Sequence, residues 1–338
     1  MSYFTLYDRL YQRYPVSKLP LEDESIDVEK LRYHLDKISK VNPYYVKQIL
    51  KRIVDSNCLL STNPDDDLEW VYEMYIPLLN IPESTSFDQL DEIRYLFLTP
   101  NTIHNNVERN WNLVKVDIYE KPNVISALST TGFRTWEASL YLTDYLLRLD
   151  NPELLDTNGT YGNVLELGCG TGLCSIALIK AGLVKRSIVT DGDSSLVEGQ
   201  LTSNLALNGV DYGSDSCCVE LRRLWWGEDD TSGWGEINTI IGADITYDAA
   251  SLDALCRCIA QIFEQYDSCK HCIISATIRN ESTINKFVEF IQSTDYCLEI
   301  ELLKSTKTDT EGKERLTQDN WFKPLIAPIN IYKICRRK

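Results

Sequence analysis

The stretch VLELGCGTGL, residues 164–173, decides the reading of the fold. A short apolar run leads into three glycines at alternate positions, Gly168, Gly170 and Gly172, and a second apolar run, LCSIALI, follows at once. Strand, glycine turn and helix in that order mark the carboxyl edge of a doubly wound sheet, where such folds bind their ligands. Glycine allows positive φ there and lets a ligand approach backbone that a side chain would block.

Downstream the alternation continues. Apolar runs at 187–190, 217–221, 239–241, 272–276, 297–303 and 329–334 predict strands, and the patterns at 173–181, 194–208, 252–263 and 281–291 predict helices between them. Such βαβ alternation implies a mostly parallel sheet with both faces covered. The last two strands are close enough to pair antiparallel across a polar loop, Ser305 to Lys323. The expected architecture is α/β: a seven-stranded, mostly parallel, Rossmann-like sheet with an antiparallel final strand.

Upstream, to about residue 100, the period is helical. Tyr3, Phe4, Tyr7, Leu10 and Tyr11 recur at three- and four-residue steps, as do Leu31, Leu35 and Ile38. Pro43 stands where a first turn begins, with Tyr45, Val46, Ile49, Leu50 and Ile53 on one stripe. Trp70, Met74 and Ile76 carry the theme to Pro77. Residues 111–126, WNLVKVDIYEKPNVIS, alternate as a strand or hairpin does, and Thr135 is placed to cap a helix starting at Trp136. The domains expected are a helical N-terminal region over 1–110, which could dock a substrate, and an α/β domain over 111–338.

The formal charge of −16 bears on partners. An acidic protein does not hold a phosphate backbone unless its cations cluster, and Arg336, Arg337 and Lys338 make only a short basic tail. Nucleic acid is disfavoured; a basic protein surface would be attracted. The most apolar stretch, 164–184, includes Glu166 and Lys180 and is a poor membrane span. With no export signal visible, the expected location is the cytoplasm and the expected state a monomer. Eleven cysteines in such a chain read as reduced thiols. Cys269, His271 and Cys272, with Cys256 and Cys258 upstream, lack the regular second half of a zinc motif, and no metal is expected.

Two ligands compete for the glycine loop. Pyrophosphate of a dinucleotide calls for G-x-G-x-x-G ahead of a helix. Here the pattern is E-x-G-x-G-x-G, and a carboxylate at Glu166 repels pyrophosphate while suiting the ammonium of S-adenosylmethionine. Asp191, about two dozen residues on at the end of the next strand, can accept both hydroxyls of a ribose, with Asp193 as the near alternative. The fourth strand of the sheet runs into Gly242, Ala243, Asp244, Ile245, Thr246 and Tyr247, placing a carboxylate and a phenol at the same edge. Cys169 inside the loop has no histidine near it in sequence and reads as a small permissive residue rather than a nucleophile.

Four motifs occur together in a familiar order. They are GFRTWEA around Arg134 and Trp136, the E-x-G-x-G-x-G loop, LWWG over 224–227, and D-x-x-Y at Asp244 and Tyr247. In this the chain resembles the seven-β-strand protein lysine methyltransferases, over roughly residues 111–338. Its upstream helical layout is similar to that of members acting on translation elongation factor 2. The resemblance implies transfer of a methyl group from S-adenosylmethionine to a lysine of a protein, elongation factor 2. It implies that Trp136, Glu166 and Gly168 meet the amino-acid end of the cofactor, Asp191 the ribose, and Trp226 the adenine, with Trp225 beside it and Gly170 and Ala243 also against the cofactor. Asp244 and Tyr247 would frame the opening for the lysine and orient its amine. The nucleophile must be a neutral amine although free lysine has a pKa near ~10.4, so an apolar aromatic channel that disfavours the ammonium assists. The rival readings are methyl transfer to another protein, a small molecule or RNA, or an interaction module that keeps the fold without catalysis.

Overall fold

The computed structural model describes residues 4–23, 26–56, 68–82, 89–100, 111–123, 131–213, 218–293 and 296–337. The chain divides into two compact units, Met1–Tyr95 with Tyr119–Val124, and Leu96–Ile118 with Ile125–Lys338.

The first unit carries α1 (Leu6–Tyr11), α2 (Val28–Ser39), α3 (Pro43–Ser56) and α4 (Glu69–Tyr75). Thr5 and Asp8 close a reciprocal capping box on α1, and the Asp27 carboxylate caps α2. Most of the stripes read from the sequence meet in one buried cluster containing Leu10, Leu31, Leu35, Ile38, Ile49, Leu50, Ile53 and Trp70; Ile76 instead stays exposed, and Tyr3 lies outside the described residues. Each such aliphatic side chain contributes roughly 1.5–3 kcal/mol when fully buried.

The helical expectation fails at its far end. Residues 91–100 form a strand, β1 (Asp91–Pro100), which pairs with β2 (Trp111–Glu120) in a two-stranded sheet. Ile93, Tyr95, Phe97 and Thr99 alternate with period two, and this strand pattern outweighs the short apolar run YLFL. β2 buries Val114, Val116, Ile118 and Glu120 in strict alternation. It ends at Glu120; residues 124–126 of the expected strand lie outside the described residues.

The second unit contains α5 (Glu137–Arg148), β3 (Asn163–Leu167), α6 (Leu173–Lys180), β4 (Arg186–Asp191), the short α7 (Ser194–Leu196) and α8 (Thr202–Leu207). Next come β5 (Val219–Arg223), β6 (Thr239–Ala243), α9 (Leu252–Gln265), β7 (His271–Thr277) and α10 (Glu281–Ile291). β8 (Leu298–Ser305), α11 (Thr310–Arg315) and β9 (Ile329–Arg336) complete it. The sheet order is β5-β4-β3-β6-β7-β9-β8. β3 to β7 run parallel, and β9 is antiparallel to both β7 and β8. The expected seven-stranded architecture is the one observed.

The order reverses at β3, whose neighbours are β4 and β6, and a doubly wound sheet opens its ligand crevice at such a reversal. Glu166 pairs in register with Ile241 and Leu167 with Gly242, so the glycine loop and the Asp244 segment leave the sheet side by side. α9 and the sheet bury Leu255, Ile259, Phe263, Leu165 and Ile274 in one core, which also takes Cys256, Cys258, Cys269 and Cys272 as small apolar groups.

Three local expectations are corrected. Thr135 does not cap α5: Trp136 is the N-cap residue and its side chain makes no capping bond, while the Thr135 hydroxyl pairs with that of Thr171 (2.9 Å). The helix expected over 194–208 is interrupted by a π turn, Val197–Leu201, which contains the weak helix former Gly199. The polar loop 305–323 holds α11 and a second π turn, Leu316–Trp321. Tertiary bonds order it. Asp309 caps α11 while accepting from Tyr141 (2.8 Å), Arg315 reaches Asp144 (2.9 Å), and the Asn320 amide bonds both the N–H and the C=O of Leu96 (2.8 Å each). Among the described residues no helix is long and apolar enough to cross a membrane.

Candidate active site

The glycine loop is built by β3 delivering Glu166 and Leu167 buried and α6 starting at Leu173. Gly168 takes φ +60°, and a Cβ there would fall 2.6 Å from Ile245 Cγ2 and 3.5 Å from the Trp226 ring. The backbone N–H of Gly170 donates to Asp191 Oδ2 (3.0 Å), and the N–H of Asp193 donates to Oδ1 (3.1 Å). The loop and the end of β4 are thereby tied together. Asp193 spends its own carboxylate on Ser195, as the N-cap of α7, while both it and Asp191 line the cavity.

Glu166 is 2% exposed and accepts from the backbone N–H (3.2 Å) and hydroxyl (2.5 Å) of Ser175 on α6. Burial, opposed by those two bonds and reinforced by Asp191, pushes its pKa up to about 7. Burial raises the Asp191 pKa as well. The Cys169 thiol is driven well above its ordinary value by burial and by the carboxylates of Asp191 and Glu166, so it is no thiolate nucleophile.

On the other side, β6 ends at Ala243 and the chain turns through Asp244 at φ +57°, an unusual setting for a residue with a side chain. Its N–H donates to Ser275 O (2.7 Å) on β7. Its carboxylate accepts from the Thr277 N–H (3.1 Å) at Oδ1 and from Arg279 Nη2 (2.7 Å) at Oδ2. Tyr247 is 55% exposed, with its hydroxyl 3.5 Å from that of Thr131. Trp136 donates its indole N–H to Thr131 O (3.0 Å) and carries the guanidinium groups of Arg134 and Arg279 at 4.4 and 5.0 Å from ring centroids.

All the residues singled out from the sequence, namely Trp136, Glu166, Gly168, Gly170, Asp191, Trp226, Ala243, Asp244 and Tyr247, line one cavity of about 890 Å³. Trp225 lines it too, lying over Gly192, where a Cβ would sit 3.1 Å from its ring. The two tryptophans differ in one respect: Trp226 Nε1 is buried without a hydrogen-bond partner, whereas Trp225 is half exposed. An unpaired buried N–H on a cavity wall suits a ligand acceptor. Sequence reasoning passed over Thr131 and Arg279. Neither carries a local signal, since Arg279 is 35 positions from the Asp244 it pairs with.

The cavity fits an adenosyl amino acid on three counts. It offers the orphaned indole N–H, a loop backbone bared by Gly168, and acids rather than cations at the loop and the β4 end. Gly168→Ala is expected to weaken cofactor binding roughly thirtyfold, about 2 kcal/mol, since the added methyl group covers backbone bared to the cavity and displaces Ile245, which lines it too. Calorimetry would read this, and unchanged affinity would show that the loop backbone is not approached.

A family model described as lysine methyltransferase matches residues 126–294. The chain is 36% identical to protein-lysine N-methyltransferase EFM3 of Saccharomyces cerevisiae over 353 residues, covering 98% of each chain. It is 34% identical to the protein of that name in Chaetomium thermophilum, over 51% of this chain and 50% of the other. Against protein-lysine N-methyltransferase EEF2KMT of Mus musculus the identity is 28%, over 72% of this chain and 68% of that one.

Proposed function

The chain belongs to the lysine methyltransferase family, and on that premise we propose that it methylates a lysine of elongation factor 2 in the cytoplasm with S-adenosylmethionine as donor. One observation carries the reading. Asp244 and Tyr247 open onto the same cavity as the glycine loop and Asp191, so an acceptor site and a donor site face each other across β3 and β6. The choice of elongation factor 2 rests on the resemblance in motif order and in the helical N-terminal region, which we take as the docking element. A chain beginning at Leu96 would then keep its cofactor affinity and lose affinity for the protein.

When bound, S-adenosylmethionine supplies a methyl group on a sulfonium, a good leaving group for in-line displacement by an amine. The protein's share is alignment and exclusion of water, and alignment alone accounts for a large part of such a rate. Glu166 and the Gly168 backbone would hold the amino-acid end, Asp191 the ribose hydroxyls, and Trp226 the base through its free N–H. Trp136, with Thr131 fixing its indole N–H, forms the wall between donor and acceptor. Asp244 and Tyr247 orient the lysine nitrogen, and the proton it loses leaves to solvent past the exposed phenol.

Glu166 makes binding pH-dependent. A carboxyl whose pKa rises from 4.5 to about 7 on folding keeps its proton longer in the folded state, so its stabilising share is full below about 4.5 and is lost as pH rises towards 7. An ammonium placed beside it favours the carboxylate, and binding releases a proton. Cofactor affinity is therefore expected to be more than about tenfold weaker at pH 5.5 than at pH 7, and Glu166→Gln to flatten that acid limb. Calorimetry in buffers of differing ionisation enthalpy reads the released proton. No release at pH 6 would remove Glu166 from the ammonium site.

The function itself is tested with elongation factor 2 purified from cells lacking the enzyme. Incubation with S-adenosylmethionine should add methyl mass to one lysine-containing peptide. An unmodified factor would refute this choice of substrate.

A further inference from the structure

We propose that Arg279 is a positioning residue for the acceptor: it neutralises Asp244 so that the incoming lysine is received as a free amine rather than held as an ammonium. The inference rests on the reading that Asp244 frames the substrate opening.

The Asp244 carboxylate does not need Arg279 to be placed. Its backbone N–H is anchored on Ser275 O at 2.7 Å, and Oδ1 takes the Thr277 N–H at 3.1 Å. Arg279 adds a third bond, Nη2 to Oδ2 at 2.7 Å, from a side chain that is itself 42% exposed while that of Asp244 is 5% exposed. What this bond contributes is charge. A bare carboxylate beside the amine would raise the lysine pKa by roughly 1–3 units, which stores the nucleophile in its unreactive protonated form. A guanidinium never gives up its proton, so it cancels that field at every working pH. The same guanidinium lies 5.0 Å from the Trp136 ring, a contact that holds it between the carboxylate and the donor wall.

The other charged groups around this opening are engaged elsewhere. Arg134 pairs with Glu137 (3.6 Å) and covers Trp136. Asp248 accepts from Ser251 Oγ (2.6 Å) and the Ala250 N–H, and Arg223 pairs with Asp229 (3.0 Å). Glu281 on α10 pairs with Lys307 (3.9 Å). Glu166 and Asp191 are engaged with Ser175 and with the Gly170 and Asp193 amides, and Tyr247 faces Thr131. Arg279 is thus the cation bonded to the acceptor-side carboxylate.

The experiment compares wild-type, Arg279→Gln and Arg279→Lys enzymes over pH 6 to 10. The substrate is elongation factor 2 or, if that is not modified, the protein labelled by wild type in an extract from cells lacking the enzyme. For Arg279→Gln the apparent pKa of kcat should move up by about one unit. This means a roughly tenfold lower kcat at pH 7 that recovers at high pH, with KM unchanged or lower. Arg279→Lys should restore the wild-type profile. Butylammonium chloride, titrated into the cofactor-free proteins and followed by tryptophan fluorescence, should bind Arg279→Gln at least about threefold more tightly than wild type. A loss of kcat that is equal at all pH values, or superimposable profiles with equal butylammonium affinities, overturns the inference alone. A wild-type enzyme that labels no protein lysine overturns both the reading of the site and this inference.

Discussion

Asp244→Ala is expected to lower kcat for lysine methylation by at least about 100-fold, with cofactor affinity within about threefold of wild type. The residue is held in left-handed backbone at φ +57°, a conformation that aspartate tolerates better than most side chains, and strain of this kind concentrates at working sites. Its side chain is 5% exposed, so alanine deletes the acceptor of the Thr277 N–H and leaves Arg279 unpaired beside the substrate opening. A misplaced amine loses near-attack geometry, and displacement by about 1 Å costs on the order of 10²-fold. Asp244→Asn separates shape from charge. It keeps an acceptor for Thr277 and should retain more activity than alanine. Steady-state kinetics on a protein substrate, with calorimetry for the cofactor, distinguishes these effects. A kcat within about threefold of wild type for Asp244→Ala would exclude the residue from the acceptor site.

The second large effect concerns stability of the helical unit. Asp91→Ala is expected to destabilise it by about 3–5 kcal/mol, because it strands a buried guanidinium. Arg13, itself in left-handed backbone at φ +56°, gives Asp91 two-pronged contact through Nε (3.1 Å) and Nη2 (2.6 Å). Asn42 adds an amide bond (2.7 Å), and the pair is 11% and 4% exposed at its side chains. These bonds tie the end of α1, the start of α3 and the start of β1 together. Urea unfolding monitored in the helical unit should show an earlier transition in the variant. Replacing Arg13 and Asp91 together by apolar residues should recover part of the loss, since the penalty is that of an unpaired buried charge. An unchanged midpoint for Asp91→Ala would show that the pair adds nothing net.

The catalytic half of the molecule was legible because its signals are local. The glycine loop, Asp191 and the Asp244–Tyr247 pair each sit at a strand end, where a few consecutive residues carry both the fold and the lining of the candidate site. The mostly parallel sheet with its antiparallel final strand followed from the same alternation, whereas the order of its strands is set by the tertiary pairing. What escaped was decided at long range. β1 was hidden because YLFL satisfies a helical stripe as well as a strand, and only pairing with β2 selects between them. α11 lies in a polar segment and is held by Tyr141, Asp144 and Leu96, residues more than 150 positions away. The Thr135 hydroxyl had a plausible local use as a cap, and Thr171 took it. Arg279 had no local pattern at all, being recognisable only once β6 and β7 lie side by side.

The most direct measurement of the central claim uses the purified protein, methyl-labelled S-adenosylmethionine and an extract from cells lacking the enzyme. Label should appear in a protein band of the size of elongation factor 2, survive ribonuclease, disappear with protease and be recovered as methyllysine after hydrolysis. Label that ribonuclease removes, or label recovered on any residue other than lysine, would contradict the account.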